Sequence, residues 1–228
     1  MSFFVGLDLG QTSDYTASAV IQAVRLDVRG EKASRELHLR HLERYPLRTP
    51  YPEMVDKVAA MIAAVEGASG ESAAELIVDA TGVGRAVTDL LRERGLRFRA
   101  VTITGGDKPL QDGSKHRVPK RDLIAALEVP FHTGELKIAA ELRLWPTLRE
   151  ELLNFRRKID LRTTHDSYEH WRESDHDDLV LAAALATWGA QRLPHAAPPD
   201  VRSLAAMSRP SYWSGTGGSS LSRRSWRV

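Results

Sequence analysis

Three stretches of this sequence put aspartate where a folded chain tolerates one only if something positive meets it. In "FFVGLDLG", Asp8 sits between two leucines near the end of an apolar run that Gly10 closes. In "AELIVDATGVG", Asp79 ends a second apolar run, and Gly82 and Gly84 follow. In "DHDDLVLAAALATWGAQR", Asp177 and Asp178 open a long Ala/Leu-rich stretch. Carboxylates gathered in one place repel each other at neutral pH. Hard divalent cations relieve that repulsion, because Mg2+ and Mn2+ prefer carboxylate and water oxygens. Two such ions about 4 Å apart activate water and stabilise the leaving oxygen in phosphodiester cleavage. The chain has no cysteine, so any metal must be held by oxygen or imidazole.

For these residues to meet, the elements that carry them must converge. "FFVGLDLG" has the length and apolar character of a buried strand. "YTASAVIQAVRLDV" and "ELHLRHLERYP" follow as two more strands; in the third, Leu37, Leu39 and Leu42 alternate imperfectly with polar residues. A helix is expected over about 52–67, from Met54, Val58, Met61, Ile62 and Val65 at helical spacing. The strand ending in Asp79, the helix "RAVTDLLRERG" and the strand "RFRAVTIT" complete a β-α-β-α-β passage, which implies parallel pairing. Antiparallel strands first and parallel ones after give an α/β fold, a mixed sheet flanked by helices. Neighbouring strands lie about 4.8 Å apart, so Asp8 and Asp79 can meet at one sheet edge. A helix crossing that edge would add Asp177 or Asp178.

The segment "GGDKPLQDGSKHRVPK" reads as a loop and "KRDLIAALEVPF" as a helix. "WPTLREELLNFRRKI" reads as another helix, with Leu148, Leu152 and Phe155 on one face, and "KIDLRTTHDSYEHWR" as a hairpin turning at "THDS". After Pro194 the composition shifts to Pro, Ser, Gly and Arg, so the expected organisation is a domain over 1–194 and a flexible tail over 195–228. The tail carries five arginines against Asp200, a charge of +4 within a total of +2, which leaves 1–194 at −2. DNA would therefore need a local basic patch rather than a global field. Lys115, Arg117, Lys120 and Arg121 form the densest such cluster, suited to backbone phosphates or to a solvated helix start.

The order of elements, with aspartate in the first strand, the fourth strand and the final helix, resembles the ribonuclease H-like nuclease superfamily. "GLDLGQTSDYTASAV", "LIVDATGVGRAV", "VPKRDLIAALEVPFHTGELKIA" and "WRESDHDDLVLAAALA" look more narrowly like the nuclease domain of phage terminase large subunits. The resemblance covers about residues 3–190. It implies cutting of concatemeric viral double-stranded DNA during packaging, by acidic residues and divalent metal, in the cytoplasm of an infected or lysogenic bacterial host. Carried onto this chain, the catalytic and metal-binding set is Asp8, Asp79 and Asp177 or Asp178, with Mg2+ or Mn2+, two ions being expected. It also implies a terminase ATPase, a small subunit and a portal ring as partners. No G-x-x-x-x-G-K-[ST] motif occurs, so the resemblance covers cutting and not translocation. An excised domain and a separate nuclease subunit are both compatible with that departure.

Blander roles stand beside each of these. Asp8 and Asp79 suit glycine turns, one of Asp177 and Asp178 suits a helix cap, and Asp14 suits a turn. His176 is expected in an outer or solvent-facing position, Arg156, Arg157 and Lys158 on a solvated helix end, and Trp145, Trp171 and Trp188 in packing. Rival functions are a Holliday-junction resolvase, an actin-like or sugar-kinase ATP-binding domain suggested by "DLGQT", and a catalytically silent packaging module.

Overall fold

The computed structural model describes residues 2–10, 14–26, 34–69, 74–82, 85–105, 108–113, 115–162 and 177–193. Gly84, Trp171, His176 and the arginines of the tail lie outside them, as do the side chains of Arg156, Arg157 and Lys158.

Eight strands form one mixed sheet. Strand β1 (Ser2–Asp8) lies inside it, antiparallel to β2 (Ala17–Leu26) and parallel to β4 (Ala74–Asp79). Strand β3 (Ser34–Arg44) pairs antiparallel with β2, and β5 (Phe98–Thr104) pairs parallel with β4. With β6 (Leu110–Asp112), β7 (Lys115–Pro119) and β8 (Leu136–Ile138), the order is β6-β7-β5-β4-β1-β2-β3-β8. This antiparallel meander continued by parallel strands is the mixed sheet flanked by helices expected from the sequence.

Strand alternation gives the two sheet faces different partners. Val5, Leu7, Val20, Leu76 and Val78 pack with helices α1 (Tyr51–Ser69) and α2 (Arg85–Glu93). Phe4, Ala19, Ile21, Ile77 and Val101 pack on the other face with α3 (Lys120–Thr133), α4 (Trp145–Arg162) and α5 (Asp178–Arg192). Helix α5 is buried continuously from Asp178 to Ala190, which explains its run of alanines: small side chains let a helix lie close on a sheet. No helix of the described residues is long and apolar enough to cross a membrane.

The imperfect alternation of β3 has a local cause. Val20 pairs with His41 and the next residue, Ile21, with Leu39, so Arg40 is the extra residue of a β-bulge. The bulge resets the face of everything after it. Leu42 thereby joins Leu37 and Leu39 in the core under α5, and Arg44, two residues on, falls on that same face.

Two sequence expectations need correction. The segment read as a loop before α3 contains β6 and β7. Its signal is weak because β6 is only three residues long and β7 alternates exposed Lys115 and Arg117 with buried His116 and Val118 over five. Residues 158–162, read as the start of a hairpin, continue α4, and 163–172 lie outside the described residues. Strand β8 was not expected; three residues give no periodicity to detect.

Candidate active site

The pairing of β1 with β4 ends at Leu7 opposite Val78, so Asp8 and Asp79 follow side by side at the carboxyl ends of neighbouring parallel strands. Phe4 and Ile77 face α5, and alternation puts Asp8 and Asp79 on that face too. Across the sheet, Asp8 pairs with Ala17 and Ala17 with Arg44, so an acid and a base flank a residue with only a methyl group. Both aspartates are more than nine-tenths buried, at 8% exposure each.

The third element arrives because β1 has no side chain in its path. A Cβ on Gly6 would stand 2.0 Å from the carbonyl oxygen of Ala182, so α5 crosses β1 in backbone contact. That crossing delivers the start of α5 to the strand ends. Asp177 occupies the N-cap position, and its carbonyl accepts the N–H of Leu181 at 2.9 Å. Its side chain does not cap the helix; Lys120 Nζ donates to its Oδ2 at 2.9 Å. Asp178 is buried, with Oδ2 2.8 Å from Arg44 Nε.

The capping comes instead from another helix. Glu151 of α4 accepts the N–H groups of Leu179 and Val180 on Oε2 at 3.1 and 3.2 Å, and its Oε1 is paired with Arg44. The Arg44 guanidinium also lies over the Tyr15 ring, 4.9 Å from its centroid. Arg44 therefore ties β3, α4 and α5 together at one point.

The electrostatics record this gathering. Burial, and then the charges of Asp79, Asp177 and Asp178, raise the Asp8 carboxyl well above its ordinary value, with Lys120 pulling the other way. Burial also pushes Glu151 up to about 7, Arg44 opposing and Asp178 reinforcing. Among the described residues, Asp8, Asp79, Asp177, Asp178 and Glu151 are met here by two cations, Lys120 and Arg44.

An all-carboxylate donor set with surplus negative charge has the chemistry a hard divalent ion requires. The arrangement is not a finished cage. Among the described residues no three acidic or imidazole side chains stand so as to hold one ion. Asp177 and Asp178 are turned to Lys120 and Arg44 instead. Asp79 is also engaged: its Oδ1 accepts the Thr81 N–H at 2.7 Å, and Thr81 Oγ1 accepts the Ile103 N–H at 2.6 Å. The turn role weighed for Asp79 is thus realised beside its place in the cluster, and Gly82, at φ 74°, supplies a backbone conformation that side chains disfavour.

The basic cluster is divided. Lys120 belongs to the acidic centre, whereas Lys115 and Arg117 project from the sheet face opposite to buried Val118. Arg121 is exposed, 3.6 Å from Asp122. Asp14 is exposed and outside the cluster, and Trp188 is core, edge-on to His116. A cleft of about 730 Å³ opens beside Arg44, lined also by Leu42, Glu141 and Arg143; none of the four aspartates lines it.

Arg44 and Glu151 are the residues that sequence reasoning missed. Glu151 had a signal: it stands three residues after Leu148 and four before Phe155, inside an apolar helix face. Arg44 had none without the bulge.

No protein-family model and no curated protein matches the chain. Solved structures do. The large terminase nuclease from thermophilic phage G20c with bound zinc is 20% identical, over 81% of this chain and 79% of that one, with a TM-score of 0.46. The Mn-soaked human cytomegalovirus terminase nuclease domain is 18% identical, over 84% and 83%, with a TM-score of 0.47. Thermus thermophilus RuvC is 18% identical, over 85% and 98%, with a TM-score of 0.38. Identities this low leave the site to be argued from the residues of this chain itself.

Proposed function

We propose that this protein is a divalent-metal-dependent endonuclease that cuts double-stranded DNA with little sequence preference, as in viral genome packaging. The observation that carries this reading is the meeting of Asp8, Asp79, Asp177 and Asp178, from two strand ends and one helix start, around a carboxyl whose charge burial and neighbours disfavour. Asp8, Asp79 and one or both of Asp177 and Asp178 would hold Mg2+ or Mn2+, two ions in the fullest form of the reading. A cation bound there would supply an activated water and offset charge on the phosphate being cut. The chain's own residues supply the rest. Burial of Asp8 and Asp79 fixes their positions, and Lys120 places a positive charge beside Asp177 at the mouth of the site. Arg121 would add a phosphate contact that carries affinity without reading sequence, and Lys115 and Arg117, on the other sheet face, would do so only for DNA passing round that edge.

The reading extends to a terminase ATPase domain or subunit, a small terminase subunit and a portal ring as partners, within an infected bacterial host. Its core is testable without them. Supercoiled plasmid incubated with the protein and Mn2+ or Mg2+ is expected to be nicked and linearised, and EDTA is expected to stop the reaction. Asp79→Asn is expected to bring cleavage down to background. Equal cutting by wild type, Asp8→Asn and Asp79→Asn would place the activity elsewhere and end the proposal.

A further inference from the structure

Helix α5 has an aspartate in its N-cap position that does not cap. The two N–H groups that such a side chain would satisfy are taken by Glu151, which reaches over from α4 and is 7% exposed. A buried carboxylate is an expensive cap unless a positive charge accompanies it, and Arg44 does so, with Asp178 as its second partner. The arrangement frees Asp177 to turn towards Lys120. It also ties the first turn of α5 to two elements that lie beside the strand ends.

We propose that Glu151 is a positioning residue: held by Arg44, it caps the start of α5 from a neighbouring helix and so sets where Asp177 and Asp178 stand relative to Asp8 and Asp79. The inference rests on the metal-dependent reading of that same site. Glu151 is not a ligand in this scheme, since its oxygens are engaged by the helix start and the guanidinium. Its effect on metal binding passes through Asp177 and Asp178. Residues that orient metal ligands in this way typically change affinity by about 10–100-fold when removed.

The test uses the whole chain and Mn2+ alone as probe. Wild type, Glu151→Ala, Glu151→Gln and Arg44→Lys are compared by the Mn2+ concentration that half-saturates the rise in melting temperature, and by amide hydrogen exchange at Leu179 and Val180. Glu151→Ala is expected to raise the Mn2+ midpoint roughly 10-fold or more and to speed exchange in the first turn of α5. Glu151→Gln keeps an acceptor oxygen for the two N–H groups, so it is expected to recover most of the wild-type midpoint. A purely structural Glu151 would lower the melting temperature while leaving the midpoint unchanged, and that result overturns the proposal. Arg44→Lys loses the fork that holds Glu151 and Asp178 together, so it is expected to raise the midpoint as Glu151→Ala does. Should Glu151→Ala fail to fold, an unchanged midpoint in Arg44→Lys overturns the proposal equally. A wild type that responds to Mn2+ and cuts plasmid keeps the nuclease reading whatever the variants do. A wild type with no Mn2+ response ends that reading; exchange at Leu179 and Val180 then decides the cap, which falls if Glu151→Ala leaves it unchanged.

Discussion

Asp8→Asn is expected to abolish metal-dependent cleavage and, in the same sample stripped of metal, to raise the melting temperature. The two effects have one origin. Asp8 lies deep beside three other carboxylates, with only Lys120 among the described residues opposing them, so burial and like charge both disfavour its ionised form. Asparagine keeps the shape and removes the charge. Each kcal/mol relieved is worth about 2–4 °C in a chain of this size. A divalent ion reverses the ranking, because it stabilises only the protein that binds it. With EDTA the variant should melt above wild type; with saturating Mn2+ it should melt below.

The pH dependence follows from the direction of the shift. The folded state holds the Asp8 proton to a higher pH than the unfolded chain does, so the neutral carboxyl's contribution is complete below the unfolded value and fades as pH rises through the folded one. The advantage of Asp8→Asn should therefore be near zero at about pH 4 and grow until Asp8 is fully ionised. Scanning calorimetry in EDTA across that range measures it. A variant that melts lower than wild type at every pH would make Asp8 a structural hydrogen-bonding residue and take away the argument for metal.

Residue by residue, the sequence was most legible where one physical cause acted alone. Asp8 in "GLDLG" and Asp79 in "LIVDATG" announce themselves because a charge at the end of an apolar strand has few explanations, and both stand where the sheet edge was expected. The start of α5 was equally visible, but its cap was not: either Asp177 or Asp178 suits that role, and nothing local shows that Glu151, 26 positions before Asp177, takes the two N–H groups. Arg44 required knowing that Arg40 bulges, a property of the β2–β3 pairing rather than of either strand. The four aspartates of the candidate site were thus readable from local pattern, and Glu151 was missed. The bases that hold them depend on register and on helices meeting across the sheet, and four neighbouring basic residues in sequence, Lys115, Arg117, Lys120 and Arg121, stand on different surfaces.

The geometry that makes all of this possible passes through a single missing side chain. Gly6→Ala is expected to cost about 3 kcal/mol or more, a fall of roughly 6–12 °C in melting temperature, and to remove metal binding along with it. The added methyl would lie 2.0 Å from the Ala182 carbonyl oxygen and 2.7 Å from the Ala186 nitrogen, both backbone atoms of a helix buried on every side. No rotamer change relieves such a contact; α5 must lift from β1, carrying Asp177 and Asp178 away from Asp8. Gly67→Ala supplies the control. That glycine lies within α1 with nothing inside 4 Å of the added atom, so alanine there should stabilise by about 0.5–1 kcal/mol through helix propensity. Both variants add the same methyl group, which meets helix backbone at Gly6 and open space at Gly67. If Gly6→Ala melts within 2 °C or so of wild type, α5 does not rest on β1 as described, and the convergence of the aspartates loses its structural basis.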